Sequence, residues 1–328
     1  MEVDILKRLI ARFEGCNVLV IGDVILDEYI IGDARRMSRE APIPVLELRE
    51  RRYIPGGAAN PAVTLHSLGA GCNLIGVVGE DETHQSLVAA LTERGIPSTL
   101  LADSARPTIV KTRIMATMGL RFPQQVARVD TIARDPVNGD LQAGILAQLT
   151  TSAQYGAVLL SDYQCGLLAE SLVQQIAAWC RENDVLLTVD AQGELQKYAG
   201  VDLVKCNADE ASAYLGHDLA TDEDFAQAAQ AIYEQLALQE AMVITRGAYG
   251  ATVYTADGAQ HCPSPRVRDV YDTVGAGDTA IAVMTLARVA GATYEQAVML
   301  SNYASGIVVQ HVGNYAPSRE ELLTAITS

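Results

Sequence analysis

The sequence is short of positive charge: 24 Lys and Arg stand against 40 Asp and Glu, a formal net charge of -16 over 328 residues. Nucleic-acid binding needs concentrated Lys and Arg against the phosphate backbone, so no nucleic-acid partner is expected. An anionic small substrate stays open, because a pocket can be locally basic under a negative global field. Long apolar runs are missing too. The longest, such as VLVIG and AVLLS, stop at strand length, far below the roughly 20 residues that cross a bilayer, and no membrane partner is expected. Cys16, Cys72, Cys165, Cys180, Cys206 and Cys262 form no CxxC pair or zinc-like doublet, and no secretory segment precedes them; free thiols in a reducing cytoplasm are the expectation. Neither GxxxxGKS nor GxxxxGKT occurs, which excludes a P-loop, and GDVILDEY stands where a dinucleotide fold would place GxGxxG. HExxH is absent, and the five histidines are dispersed as ordinary surface or core residues.

What is present is an alternation of buried strands and helices. The apolar runs NVLVIGD (17–23), NLIGVVG (73–79), GAVLLS (156–161), VLLTVD (185–190), VDLVKC (201–206) and AMVITR (241–246) alternate with helical patterns such as LVQQIAAWCREN and DFAQAAQAIYEQLA. Runs apolar on both faces, separated by helices, predict βαβ units around a mainly parallel sheet. Asp23, Asp27, Asp162, Asp190, Asn207, Thr245 and Arg246 follow the predicted strands. In a parallel sheet the ligand sits beyond the carboxyl ends of the strands, so these residues should rim one cleft. Two segments break the rhythm, approximately 28–54 and 107–130, with short β-prone pieces and charged or proline-containing turns. They predict a small, mostly antiparallel lid with one wet face. Its edge strands are of the kind commonly covered by a partner, so a homodimer through the lid is expected.

The string GAGD, Gly275 to Asp278, opens a run that is apolar nearly all round, AIAVMTLARVAG, and therefore predicts a buried helix. The first amides of a buried helix need an acceptor. Gly275 and Gly277 leave room for one, and the helix dipole favours an anion. Asp278 then admits two readings: a first-turn acid favoured by the dipole, or a general base that activates a hydroxyl beside a phosphate cradle. In the second Gly cluster, PGGAANPAVTLHSLG, Asn60 and Pro61 suit a helix cap and first position, while Gly56 and Gly57 permit a close backbone approach or merely a turn. Asn60 and the Gly pair either hydrogen-bond a polyol or are no more than a good helix start, and Asp27 is the other evident polyol acceptor.

Taken in order, GDVILDEY, PGGAAN, SDY, VDAQG, NADE and DTVGAGDT resemble the ribokinase/PfkB family of carbohydrate kinases over nearly the whole chain. Within it, RMSREAPIPVLE, PTIVKTRI and VARVD are most similar to heptose-7-phosphate kinases, including the kinase half of their bifunctional form. The resemblance implies one ribokinase-like kinase domain over residues 1–328, a central mainly parallel sheet with helices on both faces and the two inserted lid segments. It implies ATP-dependent phosphorylation of a sugar hydroxyl with Asp278 as base and Gly275, Ala276 and Gly277 as the anion hole. Asp27, Gly56, Gly57 and Asn60 match sugar-binding positions; Asn207 and Glu210 match the motif that organises Mg²⁺ and its waters around ATP. Thr245, Arg246, Gly247 and Gly250 match the stretch flanking the nucleotide, with Asn302 near the adenine side. Asp272 and the backbone at Val274 resemble a loop that in many members holds a monovalent cation such as K⁺.

An Asp base of ordinary pKa suffices for this chemistry, because proton transfer accompanies a late stage of bond formation. Cys165 and Gln192 stand where heptose-phosphate kinases typically carry Lys, and neutral side chains do not replace an ammonium beside a phosphorylated substrate. Lys111, Arg113, Arg128 and the pair Arg35 and Arg36 either compensate, with Lys111 or Arg128 as phosphate anchor, or form a solvated lid surface. The departures leave two alternatives open: a kinase for an unphosphorylated sugar or nucleoside on the same scaffold, and a catalytically silent sugar- or nucleotide-binding regulator.

Overall fold

The computed structural model describes residues 2–117, 123–151, 154–267 and 269–327. Residues 118–122, inside the expected lid segment 107–130, lie outside the described residues. The strands are β1 Asn17–Gly22, β2 Val24–Met37, β3 Pro44–Gly57, β4 Gly71–Gly79, β5 Ser98–Asp103, β6 Ile109–Thr117, β7 Gln124–Thr131, β8 Ala157–Ser161, β9 Leu186–Asp190, β10 Leu203–Asn207, β11 Ala241–Thr245, β12 Ala251–Thr255 and β13 Gly258–Cys262. The helices are α1 Glu2–Ala11, α2 Ala59–Ser67, α3 Glu82–Glu93, α4 Gly139–Thr151, α5 Glu170–Glu182, α6 Ala208–Leu215, α7 Asp222–Gln235, α8 Ala276–Val289, α9 Tyr294–Val308 and α10 Arg319–Ala325.

Among the described residues nine strands form the main sheet, in the order β13-β12-β11-β10-β9-β8-β1-β4-β5. From β11 to β5 every pairing is parallel; β12 and β13 close one edge as an antiparallel ribbon that the apolar runs did not announce. Alternation along β1 shows why both faces are covered. Val18 and Val20 pack into a core shared with α1, α2, α8 and α9, whereas Leu19 and Ile21 pack into a second core under α4, α5 and α7. A strand buried on both sides has no polar register, which is why these segments read as unbroken apolar runs. Helix α8 runs through the first core with every residue from Asp278 to Ala287 buried. All six cysteines are unpaired thiols. Among the described residues no helix is long and apolar enough to cross a membrane.

The lid is a four-stranded sheet ordered β3-β2-β6-β7. Its β2–β3 and β6–β7 pairs are antiparallel and its β2–β6 pair parallel. The short pieces expected over 28–54 are in fact two strands of 14 residues each. Their charged residues pair across the strands, Arg51 with Glu28 at 3.4 Å and Arg35 with Glu47 at 3.3 Å, so charge lengthens the ribbon instead of ending it. Bulges between Ile31 and Gly32 and between Ala34 and Arg36 absorb the register change. Since β2 starts at Val24, two residues beyond β1, the chain passes directly from the main sheet into the lid over the cleft.

Candidate active site

Parallel neighbours β11, β10, β9, β8 and β1 end on the same side, so Thr245, Asn207, Asp190, Asp162 and Asp23 line one rim, as the strand ends predicted. Helix α8 points its N-terminus at that rim. Its N-cap, Gly275, has the left-handed φ of 81° and supplies no side-chain cap; the Ala276 amide turns back to the Thr273 carbonyl at 3.3 Å, and the other opening amides of a helix start call for an acceptor. A Cβ on Gly275 would come 2.7 Å from Asn60 Nδ2, and one on Gly277 would come 3.1 Å from Lys205 Nζ. Lys205 therefore stands beside the cradle. It is buried and bonded to Asp190 Oδ1 at 2.7 Å. Burial works against its charge, but Asp190 outweighs it and the ammonium is held above its ordinary value. A lone Lys inside the apolar strand VDLVKC was the signal for it, because an interior charge needs a partner or a task; only the strand pairing shows which.

Asp278 is buried, and both of its oxygens are engaged: Oδ2 accepts from Asn60 Nδ2 at 2.8 Å and Oδ1 from the Tyr163 hydroxyl at 2.6 Å. Burial lifts its pKa to about 6, with the charge of Asp190 adding and the two hydrogen bonds opposing. The expectation of an ordinary pKa is thus corrected. Asn60 does not cap α2 either. The helix starts at Ala59 behind an N-cap at Ala58, and Asn60 lies in its first turn with its amide turned to Asp278. Pro61 is accommodated in that turn because no intrahelical N–H is needed there.

A cavity of about 120 Å³ opens beside Asp278, lined by Asp27, Gly57, Lys111, Arg113, Tyr163, Val274, Gly275 and Asn314. Asp27 is clamped between Arg113 Nη1 on Oδ1 at 2.5 Å and Asn314 Nδ2 on Oδ2 at 2.6 Å. Gly56 has to be glycine here, since a Cβ would collide with the Asp27 carboxylate. Lys111 and Arg113, two apart on β6, reach the cavity from the lid. Arg128 does not: it is half-exposed on β7 and bonded to Asp130 at 2.9 Å, outside the cavity. Cys165 is buried against Ile25 and Ile109, and the Gln192 carbonyl accepts from the Gln164 amide, so neither position brings a cation. Tyr163 and Asn314 were not singled out from the sequence; one lies in a loop, the other beyond the last long helix, and neither position has a periodic signature.

The remaining candidates lie around the other half of the rim. Asn207 and Glu210 form a reciprocal capping box at α6, with bonds of 2.9 and 2.7 Å. Burial, opposed by the Asn207 amide and Lys205, raises the Glu210 carboxyl. Thr245 bonds the Cys206 carbonyl at 3.3 Å. Arg246 turns its guanidinium over Phe225 and onto Asp222 Oδ1 at 2.6 Å, so what it offers the rim is backbone between Gly247 and Gly250, both left-handed. Asn302 donates to the Cys262 and Pro263 carbonyls at 2.9 and 3.2 Å, fixing the segment that follows β13. Asp272 accepts from the amides of Val274 and Gly313 at 3.1 and 2.9 Å, which ties the loop before α8 to the one carrying Asn314.

Residues 17–321 match the family described as pfkB family carbohydrate kinase. The chain belongs to that family. Among relatives of this PfkB chain, bifunctional protein HldE of Hyphomonas neptunium is 36% identical over 325 residues, 98% of this chain and 66% of that protein. Bifunctional protein HldE of Stutzerimonas stutzeri is 37% identical over 323 residues, again 98% and 66%. The PfkB chain thus spans just under two thirds of the length of these curated relatives. Phosphofructokinase-2 from Escherichia coli in complex with potassium superposes with a TM-score of 0.78 at 20% identity, covering 95% of this chain and 98% of that one. Arabidopsis thaliana ribokinase complexed with ribose and ATP gives 0.72 at 19%, covering 95% and 99%. The solved structures establish a shared fold, the ribokinase-like sheet and its flanking helices.

Proposed function

We propose that this carbohydrate kinase transfers the terminal phosphoryl group of ATP to a hydroxyl of a heptose 7-phosphate, with Asp278 as the base. One observation carries the reading: a buried carboxylate lifted to about 6 stands in the first turn of a helix without a side-chain cap, at the wall of a cavity that also holds two lid cations. Phosphoryl transfer asks mainly for alignment and charge compensation. Gly275, Ala276 and Gly277 supply amides to the phosphoryl group in flight, and Lys205 adds a fixed positive charge beside them. Asp27, Gly56, Gly57, Asn60 and Asn314 hold the sugar, and Lys111 with Arg113 faces its phosphate. Of these cations Lys205 and Arg113 are paired with Asp190 and Asp27, so Lys111 is the one that makes up for the charge that Cys165 and Gln192 lack.

Thr245, Gly247, Gly250, the Arg246 backbone and Asn302 form the nucleotide side. No group of three or more His, Cys, Asp or Glu able to hold a metal occurs among the described residues, which suits Mg²⁺ held through water and phosphate by Asn207 and Glu210. When bound, Mg²⁺ would neutralise charge on the phosphates. The Asp272 and Val274 loop offers oxygen donors of the kind a monovalent cation such as K⁺ takes. The family membership and the bifunctional relatives support the kinase reading; the heptose preference rests on the motif resemblance. A second acceptor class, unphosphorylated sugars, is favoured by one observation, that Arg113 is already paired with Asp27. Six unpaired thiols suit the reducing cytoplasm, and a second copy of the chain, docked on the lid, is the expected partner.

The test is ADP release from ATP with heptose 7-phosphate and with unphosphorylated sugars, for the parent and Asp278→Asn. Asn keeps the shape and removes the base, so turnover should fall by about 10²–10⁴ while an ATP analogue still binds. Near-normal transfer by that variant would remove Asp278 from the chemistry.

A further inference from the structure

Each oxygen of Asp278 already accepts one hydrogen bond, out of the about two that a carboxylate oxygen can take. Of its two donors, Asn60 is buried in the first turn of α2 beside the left-handed Gly275, whereas Tyr163 stands in the cavity wall. A sugar hydroxyl about to lose its proton has to donate to Asp278 from the cavity, the side from which the phenol now donates to Oδ1 at 2.6 Å. We propose that the Tyr163 hydroxyl is a stand-in for the acceptor hydroxyl, a cover over the base that the substrate displaces, and that Lys111 ties its displacement to an anionic group on that substrate. This rests on Asp278 as the base.

The backbone of the loop is held, so displacing the phenol means turning a ring that packs on Ile25, Ile109 and Cys165. Asp23 Oδ2 accepts from the amides of Tyr163 at 2.8 Å and Cys165 at 3.0 Å, and Asp162 Oδ1 accepts from that of Gln164 at 2.7 Å. Rotation about the side chain is what remains. The phenol stays a donor, since burial and the charge of Asp278 push its pKa well above the ordinary tyrosine value. Lys111 Nζ lies 4.6 Å from the centre of the Tyr163 ring, within cation–π range. Its backbone is in register with Asp27 across the β2–β6 pair, so the same ammonium borders the sugar subsite. An anion drawn to Lys111 takes the ammonium off the ring and loosens the cover. A neutral sugar has to displace the phenol unaided. The cavity of about 120 Å³ is below the roughly 300 Å³ at which ligand pockets begin, so space has to be made on binding. Until then the cover keeps water from the base and ATP from idle hydrolysis.

The experiment compares the parent, Tyr163→Phe, Lys111→Met and the double variant, after thermal melts have confirmed folding. It reads ADP release from ATP without acceptor, and kcat and KM for heptose 7-phosphate and for the same heptose without its phosphate. In Tyr163→Phe, loss of a bond to a charged group should raise acceptor-free ADP release about tenfold or more, lower KM for the unphosphorylated sugar by about as much, and shrink the preference for the phosphorylated one. Lys111→Met should shrink that preference less in the Phe background than alone, because the two act through one contact. A fall in kcat that is alike for both acceptors, without idle hydrolysis, would overturn the proposal and make Tyr163 a positioning residue. Independent effects of the two substitutions would overturn the coupling. If neither sugar is a substrate, acceptor-free ADP release still decides the cover. Idle hydrolysis persisting in Tyr163→Phe with Asp278→Asn would instead defeat Asp278 as base.

Discussion

Asp278 sits where its charge is disfavoured, and that has a sign that thermal melts can read. Its pKa rises from an ordinary 3.8 to about 6 in the folded chain through burial first and Asp190 second. Between these values the folded state binds a proton that the unfolded chain has released, so this group's contribution to stability falls as pH rises through that window. Above it the cost is on the order of 2–3 kcal/mol. Asp278→Asn should therefore melt higher than the parent at pH 8, with the gain shrinking toward pH 4.5; equal differences at both pH values would count against the assignment. With Asp278 as the proposed base, the same ionisation sets activity. Parent kcat/KM for the acceptor should fall as pH drops below about 6. Asp278 was legible as a residue, because an acid after a Gly-rich turn and before an apolar helix is odd in any register. Its environment was not: Tyr163 is 115 residues away and Asn60 218 away, and only folding brings them together.

At the scale of elements, the opening turn of α8 separates a backbone requirement from a requirement for space. Gly275 combines φ of 81° with a would-be Cβ contact of 2.7 Å to Asn60, whereas Gly277 needs no left-handed backbone and faces only Lys205 Nζ at 3.1 Å. Gly275→Ala should lower stability by about 1–2 kcal/mol and turnover as well. Gly277→Ala should cost less stability than Gly275→Ala yet reduce kcat, since in the proposed mechanism its methyl stands where the phosphoryl group passes. Denaturant titration beside ADP-release kinetics separates the two; a Gly277→Ala protein with parental kcat would place the cradle elsewhere. The α8 helix and the six parallel-sheet runs were readable from the amino acids because burial on all sides leaves composition as the signature. Strand β5 and the β12–β13 ribbon were not, because a partly exposed edge mixes polar and apolar positions. The two lid strands were misjudged as short because Arg and Glu look like turn residues until they are seen paired across a ribbon.

At the scale of the molecule, the lid leaves apolar side chains in solvent. Leu48 is 64% exposed, Met37 58%, Ile43 57% and Val129 56%, on a sheet whose β3 and β7 edges pair with no further strand among the described residues. Such edges invite a second copy. The protein should sediment as a dimer, and Leu48→Glu with Val129→Glu should yield a folded monomer with raised KM for the sugar; a monomeric parent at micromolar concentration would end this reading.

By itself the sequence determined the layered α/β architecture, the lid segments and Asp278 with its Gly-rich cradle, because these depend on local periodicity and on residues that act where they stand. Tertiary structure alone decided that Lys205 lies beside Gly277, that Arg113 and Asn314 clamp Asp27, that Arg128 stays outside the cavity and that Tyr163 donates to Asp278. Those are relations between strands and loops distant in the chain. Side-chain reach and burial set them, and neither is encoded in spacing along the polypeptide.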